Sequence, residues 1–292
     1  MLGRAAALGL LALAFAGCGG GESASRVAEL GAYDDEQPLR TRVEAENRGS
    51  TDMTFQSPRG GDVEITMVLP PNAAEGKRHP VAVYLHPYRF SRAFFYREAF
   101  DLAERGVAVL LVNSAMSRQD IPQVDLMDPV YAADAFRSLV RHDLVDLRRA
   151  LDYLDGRGDI DDRVAVVGQE YGALSVAGLA AVDDRVDFLV LSAVPAEPSR
   201  YWAKEFVPQE THQSFHELIR DFDPIRLLDS IDADVLIQLP RRDDDWPVED
   251  YERLADEADG ADVRWYPDYG HQMGPDADSD RQAWLAEKLT ER

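Results

Sequence analysis

Residues 168–172 read Gly-Gln-Glu-Tyr-Gly, and the segments around this pentapeptide make it a tight strand-to-helix junction. Before it, Arg163-Val164-Ala165-Val166-Val167 is a short β-branched run, as expected of a strand buried on both faces of a parallel sheet. After it, residues 173–181 are almost all small and apolar, which suits a helix packed closely on that sheet. Gly168 and Gly172 stand where side chains would collide as strand and helix approach. The residue between them has to accept a strained backbone, a feature that clusters at functional sites. That residue is Glu170.

The chain has 292 residues, 45% of them hydrophobic, enough for one large α/β domain with a full core. Its start is read separately. Met1 to Arg4 is weakly basic, and the apolar run Ala5 to Ala16 is too short to span a bilayer but right for a secretion signal. The run ends in Phe15-Ala16-Gly17-Cys18, which resembles the lipobox of bacterial lipoproteins. That resemblance implies a signal peptide over 1–17, cleavage before Cys18 and acylation of this cysteine. A plain signal peptide with an incidental cysteine is the alternative. Cys18 is the only cysteine in the chain, so no intrachain disulfide can form. Residues 18–40, with Gly19-Gly20-Gly21 and Asp34-Asp35-Glu36, are expected to be a flexible tether off the membrane. The domain proper is expected over 41–292, in the cell envelope outside the cytoplasm.

The formal net charge is −23, from 54 acidic against 31 basic residues, and only Lys77, Lys204 and Lys288 are lysines. Such a surface repels nucleic acid and other polyanions, so no nucleic-acid partner is expected. Adaptation to high salt and the codon bias of a GC-rich genome explain the excess equally well. Oligomeric state is left open.

Strand and helix signals alternate along the chain. Thr51–Ser57 and Asp62–Leu69, either side of Pro58-Arg59-Gly60-Gly61, read as an antiparallel hairpin. Val81–Leu85 is a buried strand, followed by a helix over Phe95–Arg105 and a strand over Val107–Val112. A helical period covers Ala132–Asp155, and further strands are expected at Val186–Leu191, Val235–Leu239 and Val263–Tyr266. This βαβ order predicts an α/β fold with a mostly parallel, doubly wound sheet and an N-terminal antiparallel hairpin. The long aromatic-rich stretch 195–230 is expected to be a short cap-like insertion, with Tyr201 and Trp202 lining a pocket. A satellite core is the plainer alternative for it. His212 and His216 lie four apart there, but no acidic third ligand accompanies them, and neither metal nor cofactor is expected.

Three further groups are candidates for a site around Glu170. Asp243 follows the strand Val235–Leu239 in Arg241-Arg242-Asp243-Asp244-Asp245-Trp246-Pro247, with Asp244 the second choice for the acid and Trp246 a pocket residue. His271 follows the last strand in Tyr269-Gly270-His271-Gln272. His86-Pro87-Tyr88 closes the strand Val81–Leu85.

These motifs resemble those of the α/β-hydrolases, of the dienelactone hydrolase and prolyl-oligopeptidase catalytic-domain kind, over roughly residue 51 to the C-terminus. In that family Gly-x-Ser-x-Gly forms the nucleophile elbow, and nucleophile, acid and histidine follow in that chain order. Glu170, Asp243 and His271 keep the order, with glutamate in the serine's seat. No other serine takes that seat: Ser175 lies inside the elbow helix, and Ser91, Ser114 and Ser192 follow other strands. The His86-Pro87-Tyr88 loop stands where the family has its oxyanion loop. Pro87 cannot donate, so the N–H groups of Tyr88 and Tyr171 are the candidate oxyanion-hole pair, with His86 beside them in the pocket.

The family implies ester, lactone or peptide hydrolysis by serine, aspartate and histidine. With Glu170 in that seat the expected function is a non-conventional or inactive hydrolase homologue that binds a small neutral ligand. The alternative is an active hydrolase using Glu170 as nucleophile or general base with Asp243 and His271. A helix N-terminus and a nearby histidine are expected to favour the charged form of Glu170.

Overall fold

The structure is a computed structural model that describes residues 20–71, 76–118 and 129–291. The proposed signal segment and Cys18 lie outside them. In chain order the elements are α1 (Gly20–Leu30), β1 (Arg42–Asn47), β2 (Ser50–Gln56), β3 (Asp62–Val68), β4 (His79–Leu85), α2 (Tyr96–Ala103) and β5 (Ala108–Val112). They continue with α3 (Pro129–Asp155), β6 (Ile160–Gln169), α4 (Tyr171–Ala180), β7 (Phe188–Ser192), α5 (Pro198–Phe206) and α6 (His212–Ile219). The chain closes with β8 (Asp234–Pro240), α7 (Val248–Glu257), β9 (Asp262–Tyr266) and α8 (Pro275–Thr290).

The nine strands form one sheet in the order β1-β2-β3-β5-β4-β6-β7-β8-β9. From β5 to β9 every neighbouring pair is parallel, and β1, β2 and β3 add an antiparallel edge that joins through β3 and β5. Strand β4 shows how the sequence fixes the layers. Val81, Val83 and Leu85 pack with α3 and α4 on one face, while Ala82 and Tyr84 pack with α2 and α8 on the other. The two-residue period sends alternate side chains to opposite faces, and helices on both faces account for the unbroken apolar runs. Each fully buried side chain of this size stabilises the fold by roughly 1.5–3 kcal/mol.

Two segments depart from the sequence-based expectation. The tether ends early: from Gly20 the chain is the helix α1, and its Val27 is fully buried. Ala24, Val27 and Leu30 recur at helical spacing and all join the core, and Ser23 Oγ donates to Asp221 Oδ1 at 3.0 Å. Strand β1 was not expected either. Its sequence Arg-Val-Glu-Ala-Glu-Asn is exposed throughout, so no buried face marks it as a strand. Pairing with β2 alone makes it one, and its charges suit a sheet edge.

Among the described residues no helix is long and apolar enough to cross a membrane. The insertion between β7 and β8 contains α5 and α6, whose Trp202 and Phe215 reach the core beside Phe136 of α3.

Candidate active site

The parallel strands all point their C-terminal ends the same way, and the candidate residues stand at that edge, where α/β sheets leave a crevice. At the end of β6 the chain turns into α4 through Glu170, with φ +54° and ψ −114°. The two glycines are demanded by contact. A Cβ on Gly172 would lie 2.2 Å from Leu85 O, and one on Gly168 would lie 2.4 Å from the carbonyl carbon of Gly172. The strained residue is pinned by its own backbone, Glu170 N donating to Ser192 O and Ala173 N to Glu170 O.

The side chain of Glu170 folds back over the turn. Tyr88 N donates to Glu170 Oε2 at 2.6 Å, and the N–H of Tyr171, the first residue of α4, helps to favour the charged form of the same carboxylate. Of the two candidate oxyanion-hole donors, Tyr88 N–H is therefore taken by the chain's own carboxylate. Burial raises the carboxyl of Glu170 above its ordinary 4.5, against the opposing pull of these N–H groups and of His271. The expectation that the charged form is favoured is thus overturned, because desolvation outweighs the pull of the N–H groups and of His271.

His271 Nδ1 donates to Asp243 Oδ2 at 2.9 Å. The carboxylate of Asp243 is held on every side: Oδ1 accepts from the N–H of Asp245 at 2.8 Å and of Trp246 at 3.2 Å, and Oδ2 also accepts from Tyr251 OH. Burial alone would raise Asp243, but the bonds from His271 and Tyr251 hold it below its ordinary 3.8. Burial likewise disfavours charge on His271, yet the bond to Asp243 and the charges of Asp243, Glu170 and Asp245 lift it above 6.5. Trp246 braces the imidazole edge-on, with ring centroids 4.6 Å apart. The acid bonded to His271 is thus Asp243, which leaves Asp244 without that role. Tyr251 was invisible to sequence reasoning, because it arrives from α7, eight residues after Asp243, with no motif around it.

Glu170 and His271 face a common cleft of ≈ 680 Å³ walled by Tyr88, Phe90, Tyr201 and Trp246. Two expected pocket residues are not in it. Trp202 follows Tyr201 by about 100° around α5, so it turns inward, packing 4.9 Å from Phe136 and 6.1 Å from Tyr171. His86 is buried behind the wall, its Nε2 accepting from Ser114 N at 3.0 Å and its Nδ1 bonded to Pro87 O at 2.8 Å. Burial pushes its ring down to about 4, so it stays neutral. The cleft also holds charges that were not anticipated. Arg89 lies over the ring of Tyr88 and Lys204 over that of Tyr201, each 4.9 Å from the centroid, and Glu205 and Asp245 complete the wall.

No protein-family model matches the chain, and no curated protein matches it in sequence. Solved structures match it closely in shape. An acetyl xylan esterase from Thermoanaerobacterium sp. JW/SL YS485 superposes with a TM-score of 0.71 at 18% identity, over 93% of this chain and 94% of that one. An acetyl xylan esterase from Paenibacillus sp. R4 gives 0.69 at 19% identity, over 92% of each chain. The acylaminoacyl peptidase of Pyrococcus horikoshii gives 0.65 at 15% identity, over 85% of this chain and 43% of that one. The sheet order, the elbow between β6 and α4 and these superpositions together give the chain an α/β-hydrolase fold.

Proposed function

We propose that this chain is an α/β-hydrolase-fold protein of the cell envelope that does not carry out serine-type acyl transfer and binds a small neutral ligand in the cleft over Glu170. One observation carries the reading: the Glu170 carboxylate accepts the Tyr88 N–H, a group that would otherwise stabilise a substrate's oxyanion. An ester carbonyl entering the cleft finds no hydroxyl nucleophile at the elbow and meets Tyr88 N–H already bonded to Glu170. The wall supports a neutral ligand, since Arg89 and Lys204 offset Glu205 and Asp245 while His271 offsets Glu170, leaving aromatic faces as the main attraction. The test is a panel of esters, lactones and small neutral aromatics presented to wild type and Glu170→Gln. Ligand-dependent rises in melting temperature without turnover are expected, and wild-type turnover lost in Glu170→Gln would overturn the reading.

A second reading is favoured by the same bond. A donor such as Tyr88 N–H that grips the Glu170 carboxyl would also stabilise the oxyanion formed when water attacks an ester made at that carboxyl. In this reading a Glu170 oxygen attacks a saturated carbon and displaces its leaving group. His271 then takes a proton from water, which attacks the glutamyl carbonyl and releases the alcohol. Glutamate carries its carboxylate one methylene farther from the backbone than an aspartate would, roughly 1 Å, a displacement able to cost on the order of 10²-fold in rate.

Anchoring through Cys18 is part of the proposal. Recovery of the wild-type chain in membranes, and its release in Cys18→Ser, is the expected result.

A further inference from the structure

The geometry points to His86 and Asp143 as positioning residues that aim both oxyanion-hole donors, Tyr88 N–H and Tyr171 N–H, from a single buried anchor. This rests on the proposal that these two N–H groups form the hole that Glu170 fills.

Asp143 lies in α3, fully buried, and touches neither the cleft nor Glu170. Its carboxylate collects three donors: Ser114 Oγ at 2.9 Å and Tyr171 OH at 2.8 Å on Oδ2, and Ala115 N at 2.6 Å on Oδ1. Two arms leave it. The first is short: Tyr171 OH holds the Tyr171 ring, and Tyr171 begins α4 directly after Glu170, whose charged form its N–H helps to favour.

The second arm runs through Ser114 and His86. Ser114 N donates to His86 Nε2, so that nitrogen is an acceptor and the ring proton sits on Nδ1. Nδ1–H then donates to Pro87 O at 2.8 Å. A trans peptide is planar, so its C=O and N–H point in opposite directions. Fixing the carbonyl of Pro87 on His86 therefore fixes the N–H of Tyr88 the other way, onto Glu170 Oε2. Ser114, His86, Asp143 and Tyr171 are each at most 1% exposed, so water cannot replace any of these bonds.

The experiment follows the Tyr88 and Tyr171 amide protons and the Glu170 carboxyl carbon through a pH titration by NMR, using the full chain. In wild type both amides should titrate with Glu170. In His86→Leu the Tyr88 amide should lose that response while the Tyr171 amide keeps it, and the Glu170 midpoint should rise. His86→Asn, whose amide nitrogen stands in for Nδ1, should restore the Tyr88 response. Tyr171→Phe should silence the Tyr171 amide alone, and it serves as the test if His86→Leu does not fold. Wild-type responses persisting in folded His86→Leu or Tyr171→Phe overturn the positioning proposal. If neither wild-type amide follows Glu170, the filled hole itself is refuted, which is a separate outcome.

Discussion

The backbone N–H of Tyr88 donates to Glu170 Oε2 at 2.6 Å, which joins the loop after β4 to the turn after β6 through a side chain where a hydrolase would seat its substrate. Two adjacent parallel strands deliver these groups, β4 and β6 pairing Leu85 with Gly168. The elbow therefore works as a closed unit. Replacing the carboxylate should show how much of the surrounding machinery is intact.

In Glu170→Ser the donors are vacated and a hydroxyl takes the strained position, within the field of the His271–Asp243 pair. We expect slow hydrolysis of activated acetate esters, about 10²–10⁴-fold above the uncatalysed rate from the donor pair and binding. Stopped assays with p-nitrophenyl acetate measure it. Adding His271→Ala to Glu170→Ser should remove only what the imidazole adds above that level, since the donors and the binding cleft remain.

Gly172→Ala should prevent the elbow from forming. The added Cβ would meet a backbone oxygen, Leu85 O, at 2.2 Å, and neither β4 nor α4 can move without breaking core contacts. A loss of about 3–5 kcal/mol is expected, at the upper end of single substitutions. Urea unfolding monitored by circular dichroism checks it, with Gly260→Ala as a control, a site where no atom stands within 4 Å but φ is +82°.

Most of the fold was legible because buried parallel strands and small-residue helices leave strong signals. The runs around Val81–Leu85 and Arg163–Val167 are apolar on both faces, and only a covered sheet explains them. The site was legible where chemistry and backbone constraint coincide, as at Gly168-Gln169-Glu170-Tyr171-Gly172, Asp243 and His271. What was missed lacks such coincidence. Strand β1 has no buried face, α1 hides a three-residue apolar period among glycines and charges, and Tyr251 and Asp143 act through contacts made only in three dimensions. Trp202 was misplaced because an insertion's aromatics cannot be phased between cleft and core until the helix is seen.

Removing α1 should weaken the whole domain. Val27 is fully buried, and Ser23 and Arg26 both reach Asp221 within the insertion. Val27→Asp buries an unpaired charge and should cost about 3 kcal/mol or more. A tether would tolerate it without change. Thermal denaturation distinguishes the two, since a drop of several degrees is expected for a packed helix.

The His271–Asp243 pair sets a pH dependence with a definite sign. His271 has a folded-state value above its ordinary 6.5, so its contribution to stability is fully present below pH 6.5 and is lost as pH rises through the folded value. Asp243 is held below 3.8, so its contribution is present above that pH and fades as pH falls through the folded value. The pair is therefore worth most between the two, in mildly acidic solution. His271→Gln should remove this advantage, so that its stability deficit against wild type is largest near pH 5 and shrinks toward pH 9. Tyr251→Phe removes one donor to Asp243 and should cost about 1.5–3 kcal/mol, as for hydrogen bonds to charged groups. It should also shift the acid limb of the wild-type profile upward, because Asp243 loses part of what keeps it charged. Melting curves of the three proteins from pH 4 to 9 give both answers, and a His271→Gln deficit that grows with pH would refute the assignment of the imidazolium to this pair.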